Sequence, residues 1–320
     1  RCIPMTGTPV ENTLLDMWSL ADFAIPGLLG SRSTFEGEFP DDPASARALH
    51  EITEPIVLRR MVKDVAGDLP ERIDIDLPIG LGHDLALDYE RIREETMEKY
   101  PVAGALVASG QLQIFCAHPW LQAIPSDDPY WEENAQVMRG DRNGLVTPKL
   151  ERTIDLIREA LSNNRKVLVF SAFNRCGELI REALIPSPET FWGAINGSTP
   201  QEDRQSLVDS FSNFDGPACM VLNPKAAGAG LNITAATVVI HYTQVWNPAL
   251  EAQASARAHR RGQTEPVTVY RLYYEDTVEA VMIERSKWKS ELGNEATPIT
   301  TRDASDLKRA LEISPRREND

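Results

Sequence analysis

Two arginines three positions apart, Arg257 and Arg260, carry the most specific chemistry in this 320-residue chain. A guanidinium is permanently charged and offers several N–H donors. Residues three apart share a helix face, so the pair can converge on one polyanion. Two like charges at that spacing repel, and a bound phosphate relieves the repulsion; the competing reading is a pair of surface arginines fanned into water. Earlier in the chain, Asn223-Pro-Lys225-Ala-Ala-Gly228-Ala-Gly230-Leu-Asn232 is a small-residue turn behind an apolar run, where backbone amides can approach a phosphate closely. Taken alone, such a turn is more often just a tight strand-to-helix connection.

The elements that must position these residues follow from the apolar pattern. From Lys166 onward, short apolar runs alternate with amphipathic segments. Strands are expected at 166–171, 191–195, 218–222, 237–241 and 267–272, and helices at 174–184, 201–211, 248–259 and 277–292. That alternation predicts an α/β fold, a parallel sheet with helices on both faces, whose ligands sit in the loops after the strand carboxyl ends. Upstream, Leu14, Leu15, Met17, Trp18, Leu20 and Ala21, and the stretch from Leu85 to Met97, recur at helical spacing, so this part reads as mainly helical. A run rich in Pro, Gly and Asp between Gln122 and Pro148 marks the boundary. The tail from Asn294 is highly charged, with a helix expected over 303–312 capped by Asp303.

Composition narrows the function classes. A formal charge of −15 argues against a protein that holds nucleic acid by an overall positive field, although Arg257, Arg260, Arg261 and Arg271 form a locally basic stretch whose bland reading is a solvated helix face. The four cysteines, Cys2, Cys116, Cys176 and Cys219, and the five histidines are scattered, so no structural metal is expected. No apolar run approaches the roughly 18 residues of a membrane span, and Arg1-Cys2-Ile3-Pro4 has no signal-peptide character. The expected location is cytoplasmic, nucleoid-associated if the protein is bacterial, without membrane partners. The chain does not begin with Met and is read as a piece of something longer.

The order of the motifs resembles one family throughout, the SWI/SNF-type ATPases of helicase superfamily two. Thr6-Gly7-Thr8-Pro9-Val10-Glu11-Asn12 is similar to motif III. Pro55-Ile-Val-Leu-Arg-Arg60, with Leu69-Pro70, resembles the segment leading into the helical protrusions, and Cys116-Ala-His118-Pro119 resembles a Cys-Asn-His-Pro in the second protrusion. Residues 166–173, 225–232 and 253–263 are similar to motifs IV, V and VI, the last reading Gln253-Ala-Ser-Ala-Arg257-Ala-His259-Arg260-Arg261-Gly262-Gln263. Departures are Ala227, Ala256 and Thr243, where the family usually has glycine, aspartate and aspartate.

The resemblance implies the end of RecA-like lobe one over 1–20, helical protrusions and linker over 21–148, RecA-like lobe two over 149–292 and a charged tail over 293–320. No Gly-rich loop with Lys-Ser/Thr and no Asp-Glu pair after a buried strand is present in the sequence. ATP and Mg2+ would therefore be bound mainly by lobe one of the same protein, across a cleft that closes and reopens as the motor tracks duplex DNA. Arg257 and Arg260 would act as arginine fingers. Thr6, Gly7, Thr8, Gly228, Gly230, Asn232 and Gln253 would bind or couple to ATP, and Ser171, Ser198, Thr199, Lys225 and Trp246 would meet the DNA backbone. Ser198 and Thr199 equally fit a helix N-cap, and Trp246 fits a packed aromatic. Cys116, His118 and Trp120 read as core. A non-hydrolysing binding module of the same fold, which Ala227 and Ala256 would favour, and an RNA-dependent helicase are the alternatives. The compact protrusions look more like those of bacterial members.

Overall fold

Val167-Leu-Val-Phe170 is a run of four apolar residues, all fully buried, as a strand covered on both faces requires. Side chains alternate across a strand, so Val167 and Val169 enter one core cluster and Leu168 and Phe170 the other. This run is β2 (Val167–Phe170) of a fully parallel sheet. The other strands are β1 (Arg72–Ile79), β3 (Phe191–Ile195), β4 (Ala218–Leu222), β5 (Val238–His241) and β6 (Val267–Tyr274), and the order across the sheet is β1-β6-β5-β2-β4-β3. The structure is a computed structural model and describes residues 2–6, 9–10, 13–58, 67, 69–101, 103–121, 146–226, 230–292 and 304–315.

Helices α6 (Pro148–Ser162) and α7 (Cys176–Leu184) cover the Val167 face. The Leu168 face is covered by α8 (Gln201–Asn213) and α9 (Pro248–Ser255). Their starts are legible in local chemistry. Thr147 accepts from the Leu150 N–H and Asn247 from the Ala249 N–H, each followed by proline at the first helical position, where a missing N–H costs nothing. Asn247-Pro248 is thus a helix start placed directly behind β5.

Among its described residues the upstream region is mainly helical, as expected, but it also supplies one strand. Residues 72–79 alternate as Ile73, Ile75, Leu77 and Ile79, and form β1, which pairs in parallel with β6 along its whole length. The sheet therefore draws a strand from before residue 148. Helices α4 (His83–Lys99) and α5 (Gly104–Ala117) follow it. Tyr89, Leu112, Phe115 and Cys116 pack with Trp246, Tyr274, Val278 and Val281, the last two on α10 (Val278–Leu292). Helix α11 (Ala304–Glu312) carries the expected tail helix, although Asp303 lies outside the described residues. Its Ala310, Leu307 and Leu311 join the same cluster, and Arg93 donates to the Leu311 carbonyl. Near the N-terminus, α1 (Leu14–Ala24), α2 (Arg32–Glu38) and α3 (Pro43–Thr53) bury Leu14, Met17, Phe35 and Leu49 in a cluster of their own.

Cys116, His118 and Trp120 are buried, as expected of core residues, and the His118 ring accepts from the Trp120 N–H. Among the described residues no helix is long and apolar enough to cross a membrane. Nor do three or more His, Cys, Asp or Glu side chains group to hold a metal ion among them.

Candidate nucleic-acid and nucleotide interface

Four successive strands, β2 to β5, release the chain at the carboxyl edge of the sheet, and their loops are tied to one another. After β2, Ser171 is buried; its hydroxyl donates to the Phe173 carbonyl and accepts from the Phe173 N–H, which turns the chain sharply. The Ala172 N–H donates to Thr243 Oγ1 at 2.8 Å, joining this loop to the one after β5. Asn223, first after β4, donates from Nδ2 to the Ala172 carbonyl at 3.1 Å and to Asn174 Oδ1 at 3.0 Å. Its own Oδ1 accepts from the Lys225 N–H. Lys225 is left exposed. A groove of about 400 Å³ lies here, lined by Ile114, Leu121, Phe173, Arg175 and Asn223 among others.

The loop after β3 closes on itself. Thr199 Oγ1 accepts from the Asn196 N–H, and Ser198 donates from both N–H and hydroxyl to Asn196 Oδ1. Helix α8 begins behind Pro200 with no side-chain cap, so neither Ser198 nor Thr199 serves as the N-cap. Ser198 is exposed and Thr199 half-buried.

The two arginines are not on a helix face. Helix α9 ends at Ser255, Ala256 is its C-cap, and Arg257 to Gly262 continue as turns, with Gly262 at φ +98 where the chain reverses toward β6. What holds Arg257 is the preceding loop: the Ile233 N–H donates to the Arg257 carbonyl at 3.0 Å, and the Arg257 guanidinium donates to the Leu231 carbonyl at 3.4 Å. Burial, and second the nearby Arg260 charge, pull the Arg257 pKa below its ordinary value. Two guanidinium groups are therefore close enough to feel each other, one half-buried and one, Arg260, exposed. Gln263 is buried and clasps this assembly, donating to the Thr234 and Ala236 carbonyls at 2.9 Å each and accepting from the Thr264 and Glu265 N–H groups. His259 reaches the Pro70 carbonyl at 2.8 Å, which ties the arginine turn to the segment before β1.

Arg271 leaves the basic stretch it belongs to in sequence. It points along β6 into an ion-pair group with Asp76 of β1 at 2.6 Å and Glu251 of α9 at 3.5 Å.

Comparison with known proteins bears on what these loops are. The SNF2-related domain family matches residues 1–114 and the Helicase conserved C-terminal domain family residues 148–262. The chain belongs to the SWI/SNF family. An uncharacterized ATP-dependent helicase of Mycoplasma pneumoniae is 31% identical over 91% of this chain. A mouse SWI/SNF-related matrix-associated actin-dependent regulator of chromatin, subfamily A member 1, is 29% identical over 90% of it. The chain spans only 27% and 28% of the length of these two relatives. Among solved structures, the Sulfolobus solfataricus SWI2/SNF2 ATPase core in complex with dsDNA matches 97% of this chain and 66% of its own, at 27% identity and a TM-score of 0.55.

Within this SWI/SNF chain, the residues singled out from sequence divide into three groups. Ser198, Lys225, Gly230, Asn232 and Arg260 are exposed, and Thr199 and Arg257 half-buried, along the loops just described. Gly230 sits at φ +108, a conformation that favours glycine. Ser171 and Trp246 are instead buried, Ser171 closing its own turn and Trp246 packing beneath Arg285, so both act from inside the loops. Gln253 is half-buried on α9, and Thr6 is exposed. Gly7, Thr8, Ala227 and Gly228 lie outside the described residues. Of the departures from the family pattern, Thr243 has a definite role in the fold, as the acceptor for the Ala172 N–H, whereas Ala256 offers no polar group at the end of α9.

Proposed function

We propose that this chain is the C-terminal half of an ATP-driven motor that tracks duplex DNA, contributing two arginines to an ATP site and backbone contacts to the nucleic acid. The observation that carries the reading is the clasp between the loop after β4 and the turn after α9, in which Arg257 is fixed to Leu231 and Ile233 while Arg260 stays exposed beside it. Two adjacent guanidinium groups suit a polyphosphate, and among the described residues Arg257 feels no carboxylate, only Arg260. Nucleotide bound across the cleft supplies the phosphoryl group to be transferred, held with Mg2+ by the other lobe of the same protein. Arg257 and Arg260 orient toward its terminal phosphate and neutralise charge there. Exposed Lys225 offers one cation, the half-buried Thr199 hydroxyl accepts from the Asn196 N–H and keeps its own proton to donate, and the exposed Ser198 hydroxyl can exchange Asn196 Oδ1 for a phosphate oxygen, contacts that position a protein without reading sequence. Ser171 and Trp246 support those loops from beneath. The solved SWI2/SNF2 core with dsDNA is consistent with duplex DNA as the track.

The test is hydrolysis by the full-length protein with duplex DNA or RNA added. Stimulation by duplex DNA is expected. Greater stimulation by RNA would overturn the choice of track, and an absence of hydrolysis with either would favour the non-hydrolysing binding-module reading that Ala227 and Ala256 motivate. Residues 1–320 alone are expected to show no hydrolysis above background, because the phosphate loop acts from outside them.

A further inference from the structure

We propose that Arg204 is a positioning residue that sets the spacing between the loop after β3 and the loop after β4, so that both meet one nucleic-acid strand in register. The proposal rests on the DNA-tracking reading above. Arg204 lies in the first turn of α8 and is half-buried. Its Nε donates to the Thr199 carbonyl at 3.1 Å and its Nη1 to the Ala226 carbonyl at 2.7 Å. One planar group thus reaches both loops, next to the exposed Ser198 on one side and the exposed Lys225 on the other.

The geometry makes this link a spacer. At their roots the loops are joined by the Asn223 N–H donating to the Ile195 carbonyl at 2.9 Å. Nearer the tips, each loop is internally closed: Thr199 holds Asn196, and Asn223 holds Lys225. Two stiff loops that, Arg204 aside, are joined among the described residues at the root can still splay, and the Arg204 fork fixes their separation farther out. It also draws two carbonyl oxygens, which would repel a phosphate, toward itself. Lysine cannot reproduce this, since its ammonium is a point charge on a flexible stem and lacks the fixed fork that spans two acceptors.

The experiment uses the full-length protein with Arg204→Lys and Arg204→Ala, reading duplex-DNA affinity across a salt series and amide hydrogen exchange at 197–199 and 225–226. Both variants are expected to bind DNA about tenfold more weakly, within the range of coupling between contacting residues, with an unchanged slope of log affinity against log salt. Exchange at both loops is expected to rise. If Arg204 itself touches a phosphate, the Ala variant loses about 0.9 from the slope and the Lys variant recovers affinity, which overturns the proposal. A lowered melting temperature with unchanged affinity overturns it as well. Should the wild-type protein fail to bind duplex DNA, the functional reading falls, and the exchange data still decide the spacer: unchanged exchange at both loops in Arg204→Lys refutes it.

Discussion

The Lys149 ammonium lies 2.7 and 2.8 Å from the two carboxylate oxygens of Glu279, and neither side chain reaches solvent. The rings of Tyr274 and Tyr242 sit 4.9 and 5.3 Å from the same nitrogen, and the Tyr274 N–H donates to Glu279. This pair fastens the start of α6 to the start of α10. Burial pushes the Glu279 pKa up, while the Lys149 charge opposes that shift. Removing one partner leaves an unpaired buried charge, so Lys149→Met is expected to lower stability by about 3–5 kcal/mol. The double variant Lys149→Met with Glu279→Leu should recover much of the loss. Urea unfolding midpoints compare them, and a double variant no more stable than Lys149→Met would refute the pairing argument.

His241 gives a pH dependence of known sign. It is buried, stacks on Phe170, and meets the Ser255 hydroxyl at 2.8 Å. Burial first, then the Arg72 and Arg271 charges, lower its pKa to about 3 from an ordinary 6.5. Below 6.5 the unfolded chain takes up a proton that the folded chain refuses. Stability is therefore fully present above that pH and falls as pH drops toward 3. Between pH 7 and 5 the His241 share of the loss is about 2 kcal/mol. His241→Asn should lose correspondingly less over that interval, whatever its stability at pH 7. Equal losses in both proteins would show that His241 is protonated in the fold.

Much of this architecture is legible in the residues themselves. The strands from 167 onward are short apolar runs between turn signals, and Asn247-Pro248 announces a helix. β1 escapes because Arg72-Ile-Asp-Ile-Asp-Leu alternates at period two within a region dominated by helical spacing, and only its pairing with β6 shows which sheet it joins. The arginine pair is visible in sequence, but its setting is not. Helix α9 stops at Ser255 because later N–H groups turn to nearer carbonyls, as Arg257 to Ala254 and Ala258 to Ser255, while Ile233 captures the Arg257 carbonyl. Long-range partners such as Thr243 with Ala172, or Arg204 with Ala226, leave no local periodicity to read.

That setting separates the two arginines experimentally. Arg260 is exposed, so Arg260→Ala is expected to change stability within about 0.5 kcal/mol while reducing DNA-stimulated hydrolysis by the full-length protein on the order of a thousandfold. Arg257 also donates to the Leu231 carbonyl, so Arg257→Ala is expected to lose about 1 kcal/mol of stability besides turnover. Arg260→Lys should not restore the rate, because a point charge does not replace the guanidinium fork. Steady-state hydrolysis and thermal unfolding measured on the same preparations check this; near-normal turnover in Arg260→Ala would make it a surface arginine.

Lys225 and Ser198 are exposed on neighbouring loops, and they differ in charge, which lets salt distinguish their roles. Each phosphate neutralised by a cation releases counterions, so the slope of log affinity against log salt counts cationic contacts at about 0.9 apiece. A neutral hydroxyl that bonds a phosphate adds affinity without releasing ions. Lys225→Ala in the full-length protein is therefore expected to flatten the slope by about 0.9 and to weaken binding most at low salt. Ser198→Ala should weaken binding by a similar factor at every salt concentration. In Ser198→Ala the Asn196 side chain also loses its 2.6 Å donor, so Asn196→Ala serves as the control for loop geometry. Fluorescence anisotropy with a short duplex over a salt series measures all three. An unchanged slope in Lys225→Ala would remove Lys225 from the DNA path, and full affinity in Ser198→Ala would leave that hydroxyl with a purely local role in closing the turn on Asn196.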